Sequence, residues 1–135
     1  MSIQKNTLKR KKRQTKQPSR KAAVKQADIW FSRYIRKRDN NRCVTCGSTK
    51  DVQCGHVLSR GHYGTRWDER NAFAQCAGCN MLHEHDPWPL INHFLKEYSE
   101  QDMACLHDTY STPTKYSTPA IIEIAKKYES EYNSL

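Results

Sequence analysis

Apolar positions recur at helical spacing toward both ends of the chain and in short alternating runs between them. From Ala22 to about Asp39, residues Ala23, Ala27, Trp30, Phe31, Tyr34 and Ile35 recur near a helical period. Arg33, Arg36 and Lys37 lie between them, which predicts an amphipathic helix. Aromatic side chains at this spacing read as core rather than as a base-stacking platform. Asn40 and Asn41 end that helix. Asp51 to Leu58 is short and partly β-branched, which predicts a strand ending near His56, and the loop Ser59-Arg60-Gly61-His62-Tyr63-Gly64 follows. A second strand over about Asn71 to Gln75 completes a hairpin. Asn80 to His85 should begin a helix, with Asn80 and His83 one turn apart on one face, and Pro87 and Pro89 bound it.

Three helices are predicted beyond the prolines. Pro89 to Ser99 should bury Leu90, Phe94, Leu95 and Tyr98, while His93, with no companion at ligand spacing, reads as a surface or core residue. A weaker pattern over Gln101 to Thr109 rests on Met103 and Leu106. Thr118 as N-cap and Pro119 at the first position open a last helix carrying Ile121, Ile124, Ala125 and Tyr128. Tyr128 and Tyr132 should pack on the domain or on a second subunit. These elements predict an α+β domain over residues 21–135: a helix at about 22–39, a small core at about 43–86 and C-terminal helices at about 89–133.

Cysteine spacing changes the picture of that core. Cys43/Cys46 and Cys76/Cys79 are two Cys-x2-Cys pairs, and each tight turn can aim both sulfurs at one point, the arrangement of a four-cysteine zinc site. Gly47 and Gly78 suit such turns. The 29 residues between the pairs leave room for the hairpin. Disulfides would need an oxidising compartment, yet the chain opens with basic and polar residues and no apolar signal-peptide run. Of the remaining cysteines, Cys105 should be a buried helix residue, and Cys54 either a packing residue or a ligand. One structural zinc ion per chain is expected, and a core of this size benefits from such a staple.

Charge adds a second feature. The formal net charge is +9, but ten of the 23 Lys and Arg residues precede the first acidic residue, Asp28. The rest of the chain is close to neutral. Residues 1–20, around Lys9, Arg10, Lys11, Lys12 and Arg13, should form a disordered basic arm that binds DNA phosphates. A solubilising tail or a localisation signal are the other readings of such a run. Apolar residues are 36% of the chain and no run is long enough to span a bilayer, so a soluble intracellular protein without membrane contact is expected.

The hairpin carries the candidate chemistry. Phosphodiester hydrolysis needs a base to activate water and a divalent cation to neutralise charge. His56, at a strand end, is the best base, because imidazole titrates near neutral pH. Asn71 is placed to orient it across the hairpin by accepting its ring N–H. Asn80 and His83 could hold the cation opposite.

The ordered set Gly55-His56, Asn71 five positions before Cys76, and Asn80 immediately after Cys79 resembles an HNH endonuclease of the zinc-containing ββα-metal (treble-clef) type. More narrowly, Gln53-Cys54-Gly55-His56 with Ser59-Arg60-Gly61, then Thr65 to Asn71, then Gln75-Cys76-Ala77-Gly78-Cys79-Asn80, is similar to the bacteriophage NinG (Rap) recombination proteins, over roughly Trp30 to Tyr98. The resemblance implies a phage-encoded endonuclease of the bacterial host cytoplasm. Its substrates would be branched recombination intermediates such as Holliday junctions and D-loops, and its cofactor Mg²⁺ or Mn²⁺. It carries the base role to His56, the orienting role to Asn71 and the metal-facing role to Asn80, with Arg60 and Arg66 on phosphates. A homodimer and contacts with other recombination proteins would also follow, the dimer supported by apolar faces left over on the last two helices.

Two positions depart from the pattern. Many HNH enzymes carry a metal-binding Asp or His directly before the base, where this chain has Gly55, so Asp51, Cys54, His62, Asp68 and His85 become candidates for the missing ligand. His83 stands where family members usually have lysine, and is either a ligand or without a role. The alternative function is a zinc-containing DNA-binding module in recombination, without catalysis. Deleting residues 1–20 should weaken DNA affinity mainly at low salt and flatten its dependence on salt concentration, measured by fluorescence anisotropy. An unchanged slope would reject the arm as a phosphate binder.

Overall fold

A computed structural model of the chain describes residues 16–135. The basic cluster Lys9 to Arg13 lies outside the described residues. The first helix, α1, spans Arg20–Arg38; the Ser19 hydroxyl caps it by accepting from the Ala22 N–H at 3.2 Å. Asn40 and Asn41 then take left-handed backbone angles, φ 58° and 52°, and end it as their residue type allows. Strands β1 (Val52–His56) and β2 (Ala72–Cys76) pair antiparallel, with Val52 opposite Cys76 and His56 opposite Ala72.

Between the strands, the expected loop contains a short helix α2 (Tyr63–Arg66) and a 3-10 turn (Glu69–Asn71) capped by Asp68. Helix α3 (Ala77–Leu82) starts three residues before the expected Asn80. Its N-cap is Cys76, whose sulfur accepts from the Cys79 N–H, so the knuckle and the first helical turn are one structure. Helix α4 (Trp88–Glu97) follows, with proline in its first turn. Helix α5 (Glu100–Ser111) opens with a capping box of Ser99 and Asp102. Helix α6 (Thr118–Ser134) is capped by Ser117 rather than Thr118, because the Ser117 hydroxyl takes the Ala120 N–H.

The hairpin is buried on both faces, as the two-residue period of a strand allows. Ala72 joins a cluster in which Ala23, Ala27, Phe31 and Ile35 of α1 meet Ile121 and Tyr128 of α6. Phe73, on the opposite face, joins Val57, Leu90, Phe94 and Leu106. Trp30 stacks on Tyr132, and His93 meets Phe73 edge-on at 4.7 Å, both in agreement with the sequence reading. The apolar faces of α5 and α6 are therefore covered within the chain, which removes the argument for a dimer that rested on them. Two further expectations are corrected: Leu95 and Cys105 are exposed, because α4 and α5 turn Phe94 and Leu106 inward instead.

A two-stranded sheet has free edges, and this one closes the outer edge of β2 with α1. Arg38 donates to the carbonyls of Glu69 at 2.9 Å and Ala72 at 2.8 Å, Asp39 accepts from the Ala74 N–H at 2.8 Å, and the Val44 N–H reaches the Ala74 carbonyl. The Arg38–Asp39 ion pair, 2.8 Å, holds the two side chains in register. No helix among the described residues is long and apolar enough to cross a membrane.

Candidate functional site

At one end of the hairpin the four knuckle cysteines converge. Their sulfurs all lie within 4.8 Å of one another, with Cys46 Sγ and Cys76 Sγ 3.7 Å apart. Sulfurs about 2.3 Å from a shared tetrahedral zinc ion would be separated by about 3.8 Å, whereas a disulfide needs about 2.05 Å, so the spacing is that of a metal site. The turns are built for it: the Cys46 N–H points at Cys43 Sγ (3.5 Å), the Cys79 N–H at Cys76 Sγ (3.4 Å), and Gly47 takes φ 80°. Burial pushes the Cys43 thiol up, but backbone N–H groups of residues 76, 46 and 45 outweigh it and bring it down to about 6. Burial and the three neighbouring sulfurs raise Cys79. A cation displaces the protons these sulfurs would otherwise share. The cluster can hold one structural zinc ion.

Beside it a cleft of about 890 Å³ lies between α1, β1 and α3, lined by His56, Arg60, Asn80 and His83 with Asp28, Gln53, Cys54 and Glu84. His56 is half-buried under Phe31, the two rings 5.9 Å apart and nearly parallel. Its Nε2 lies 2.9 Å from the Arg66 carbonyl oxygen, which can only accept, so Nε2 carries the proton and Nδ1 the lone pair. Burial lowers the His56 pKa below 6.5; the Arg66 carbonyl works against this, and the Arg60 charge adds to it. The ring is thus neutral at pH 7.

The acceptor that orients His56 is Arg66, not Asn71 as expected. Asn71 is fully buried and clamps the intervening loop: Oδ1 accepts from the Leu58 N–H at 2.7 Å, and Nδ2 donates to the carbonyls of Leu58 and Thr65. It lies opposite Val57 in the hairpin, whose N–H reaches the Asn71 carbonyl, one position too far along to meet the imidazole.

Arg66 also departs from expectation. Its guanidinium makes a bidentate pair with Asp28 of α1, at 2.9 and 2.6 Å, and a third bond to the Arg60 carbonyl, so it is occupied within the fold. Asp28 also accepts from the Trp67 indole at 3.0 Å, and the Tyr128 hydroxyl of α6 donates to the Trp67 carbonyl at 2.7 Å. The 66–67 backbone that orients His56 is thereby held from both long helices. Sequence reading missed Asp28; its lone acidic character within a basic helix was the available signal. Arg60 is exposed at the cleft and has no ion-pair partner among the described residues.

Asn80 and His83 do share the α3 face that meets β1. Asn80 Nδ2 donates to Gln53 Oε1 at 3.0 Å, and His83 Nε2 donates to the Val57 carbonyl at 3.0 Å, leaving Asn80 Oδ1 and His83 Nδ1 as lone-pair atoms. His83 Nδ1 is buried without a partner among the described residues. Of the substitutes considered for Gly55, only Cys54 lines the cleft, and burial raises its thiol to about 12, so it stays protonated. His62 stacks on Tyr110, Asp68 caps the 3-10 turn and pairs with Arg70, His85 lines a different hollow, and Asp51 is exposed at the start of the hairpin.

The family model for the bacteriophage lambda NinG protein matches residues 1–135, the whole chain. The chain belongs to the NinG family. The NinG proteins of Escherichia phage 933W and Enterobacteria phage VT2-Sa are 36% identical to it over 66 residues, 43% of this chain and 31% of each relative. That of Salmonella phage P22 is 36% identical over 66 residues, 30% of its length. The matched stretch thus spans under a third of these relatives. No solved structure matches.

Purified protein from this NinG-family chain should contain about one zinc ion by atomic emission. Cys79→Ser should abolish that content and lower the thermal unfolding midpoint by roughly 10 °C or more, since structural zinc supplies folding free energy directly. A full zinc complement in the variant would reject the four-sulfur site.

Proposed function

We propose that this NinG-family protein is a metal-dependent DNA endonuclease of the HNH (ββα-metal) type, acting on branched recombination intermediates such as Holliday junctions and D-loops. The observation that carries this reading is the neutral His56 imidazole. Its Nε2–H is fixed on the Arg66 carbonyl, and the ring lines the cleft that also holds Arg60 and Asn80. A DNA-binding module without catalysis needs the cysteine cluster and the basic arm but has no use for a histidine held in one tautomer beside free lone pairs.

His56 Nδ1 accepts a proton from water as the water oxygen forms a bond to phosphorus. The bond from phosphorus to the leaving sugar oxygen breaks, and that oxygen takes a proton from solvent water to end as a hydroxyl. Arg60 binds the phosphate at the cleft mouth, with no ion-pair partner among the described residues to compete for it. Asn80 Oδ1 and His83 Nδ1 are donors that suit a divalent cation such as Mg²⁺ or Mn²⁺. When bound, that ion would neutralise charge on the phosphate and the departing oxygen. Helix α3, whose first turn is the second cysteine knuckle, carries both donors, so zinc binding sets their position without taking part in chemistry.

Zinc-loaded protein should cut a labelled four-way junction, and not the matched linear duplex, when Mg²⁺ or Mn²⁺ is present. His56→Ala should reduce the rate by at least about 100-fold while leaving junction affinity intact. Tight junction binding without cutting under any metal would favour the non-catalytic module. The pH profile provides a separate check. Because the His56 pKa is lowered, the base form persists below pH 6.5, so the acid limb of kcat/KM should fall only at lower pH. An acid limb centred above 6.5 would exclude His56 as the base.

A further inference from the structure

Gly55 carries no side chain beside the base, and the position one would take is already crowded by its neighbours. A Cβ placed on Gly55 would run into Gln75 Oε1 and would sit 3.2 Å from Asn80 Oδ1. The two amide oxygens therefore face the same side-chain-sized space. Each is turned there by its own NH₂ group: Gln75 Nε2 donates to Thr45 Oγ1 at 3.1 Å, and Asn80 Nδ2 donates to Gln53 Oε1 at 3.0 Å. Gln75 is 1% exposed, and its Oε1 has no hydrogen-bond partner among the described residues. His83 lines both the cleft that holds Asn80 and the adjoining hollow that holds Gln75, and its Nδ1 is likewise buried and unpaired.

Orphaned buried acceptors are costly, about 1–3 kcal/mol each, and two amide oxygens sharing one space repel. A single group that accepts lone pairs from both amide oxygens and from the imidazole nitrogen satisfies the two buried orphans and screens the oxygens from each other. A divalent cation is such a group, and a hydrogen bond from one neighbour is not.

We propose that Gln75 is a ligand of the divalent cation in this cleft, its Oε1 standing in for the side chain that Gly55 lacks and completing an oxygen, oxygen, nitrogen donor set with Asn80 Oδ1 and His83 Nδ1. The inference rests on the nuclease reading and extends it to the ion's identity. Two neutral amide oxygens and one imidazole suit Mn²⁺ better than Mg²⁺, because imidazole is too soft to compete well for Mg²⁺. All three donors are uncharged, so the free protein binds the ion weakly, and a substrate phosphate supplies the missing negative charge.

The test is Mn²⁺ binding to the zinc-loaded full chain, read as loss of the free Mn²⁺ electron paramagnetic resonance signal, with zinc content and thermal midpoint measured on every variant. Gln75→Ala should weaken Mn²⁺ binding by about tenfold or more. Gln75→Glu, of nearly the same shape, should tighten it by about tenfold, because a charged oxygen replaces a neutral one. Gly55→Asp combined with Gln75→Ala should restore binding, since the aspartate then has room at the vacated position. Wild-type Mn²⁺ affinity in both Gln75 variants, with junction cutting intact, would overturn this assignment alone and leave Gln75 as a strut between Thr45 and the hairpin. A wild-type protein that neither binds Mn²⁺ nor cuts DNA would overturn the nuclease reading and this inference together.

Discussion

Four sulfurs held within 4.8 Å of one another are the constraint on which the remaining geometry depends. A hairpin of two five-residue strands is marginal in water, and α3 has only six residues, too few to be stable alone. The cysteine knuckles join these short elements: the first immediately precedes the hairpin, and the second ends β2 and caps α3. Zinc chelation by the two pairs would make strand and helix one rigid unit. That rigidity matters because Asn80 and His83 project from the turn that follows the knuckle.

The opposite end of the hairpin is organised by hydrogen bonds instead of metal. Asn71 clamps the two ends of the loop between the strands, and Arg38 with Asp39 closes the outer edge of β2. His56 sits where these two supports meet. Its orientation is set at one remove, through the Arg66 carbonyl, whose position depends on Asp28 of α1 and, beyond Trp67, on Tyr128 of α6. Helices far away in sequence thus set the tautomer of a strand residue. With Arg66 occupied by Asp28, Arg36 and Arg60 are the arginines of the cleft without an ion-pair partner among the described residues.

The cleft's chemistry follows from what is unpaired rather than from what is charged. Gln75 Oε1 and His83 Nδ1 are buried with no partner among the described residues, and both lie on the α3 side of β1, where Gly55 carries no side chain. His56 lies on the other face, toward Phe31. The two-residue period of a strand separates these faces: Gly55 and Val57 face α3 with Asn80 and His83, while Cys54 and His56 face α1. Adjacent residues therefore present their side chains to different helices without competing for space.

The sequence by itself determined the elements and the metal knuckles. Cys-x2-Cys spacing is a local property of tight turns, Asn40 and Asn41 accept left-handed angles, and apolar residues at helical spacing in α1 and α6 had to find a common core. His56 and Asn80 were legible for the same reason, since strand ends and post-knuckle turns are local features. Tertiary structure alone decided which groups are partners. Nothing local in Asp28 shows that it holds Arg66, nor does Asn71 show that it clamps the loop instead of accepting from the imidazole one register position away. Gln75 could not be recognised from its place in a buried strand, because its orphaned oxygen exists only relative to Gly55, Thr45 and Asn80, which packing brings together. Periodicity and spacing are written along the chain, whereas the partner of a buried polar atom depends on contacts between distant segments.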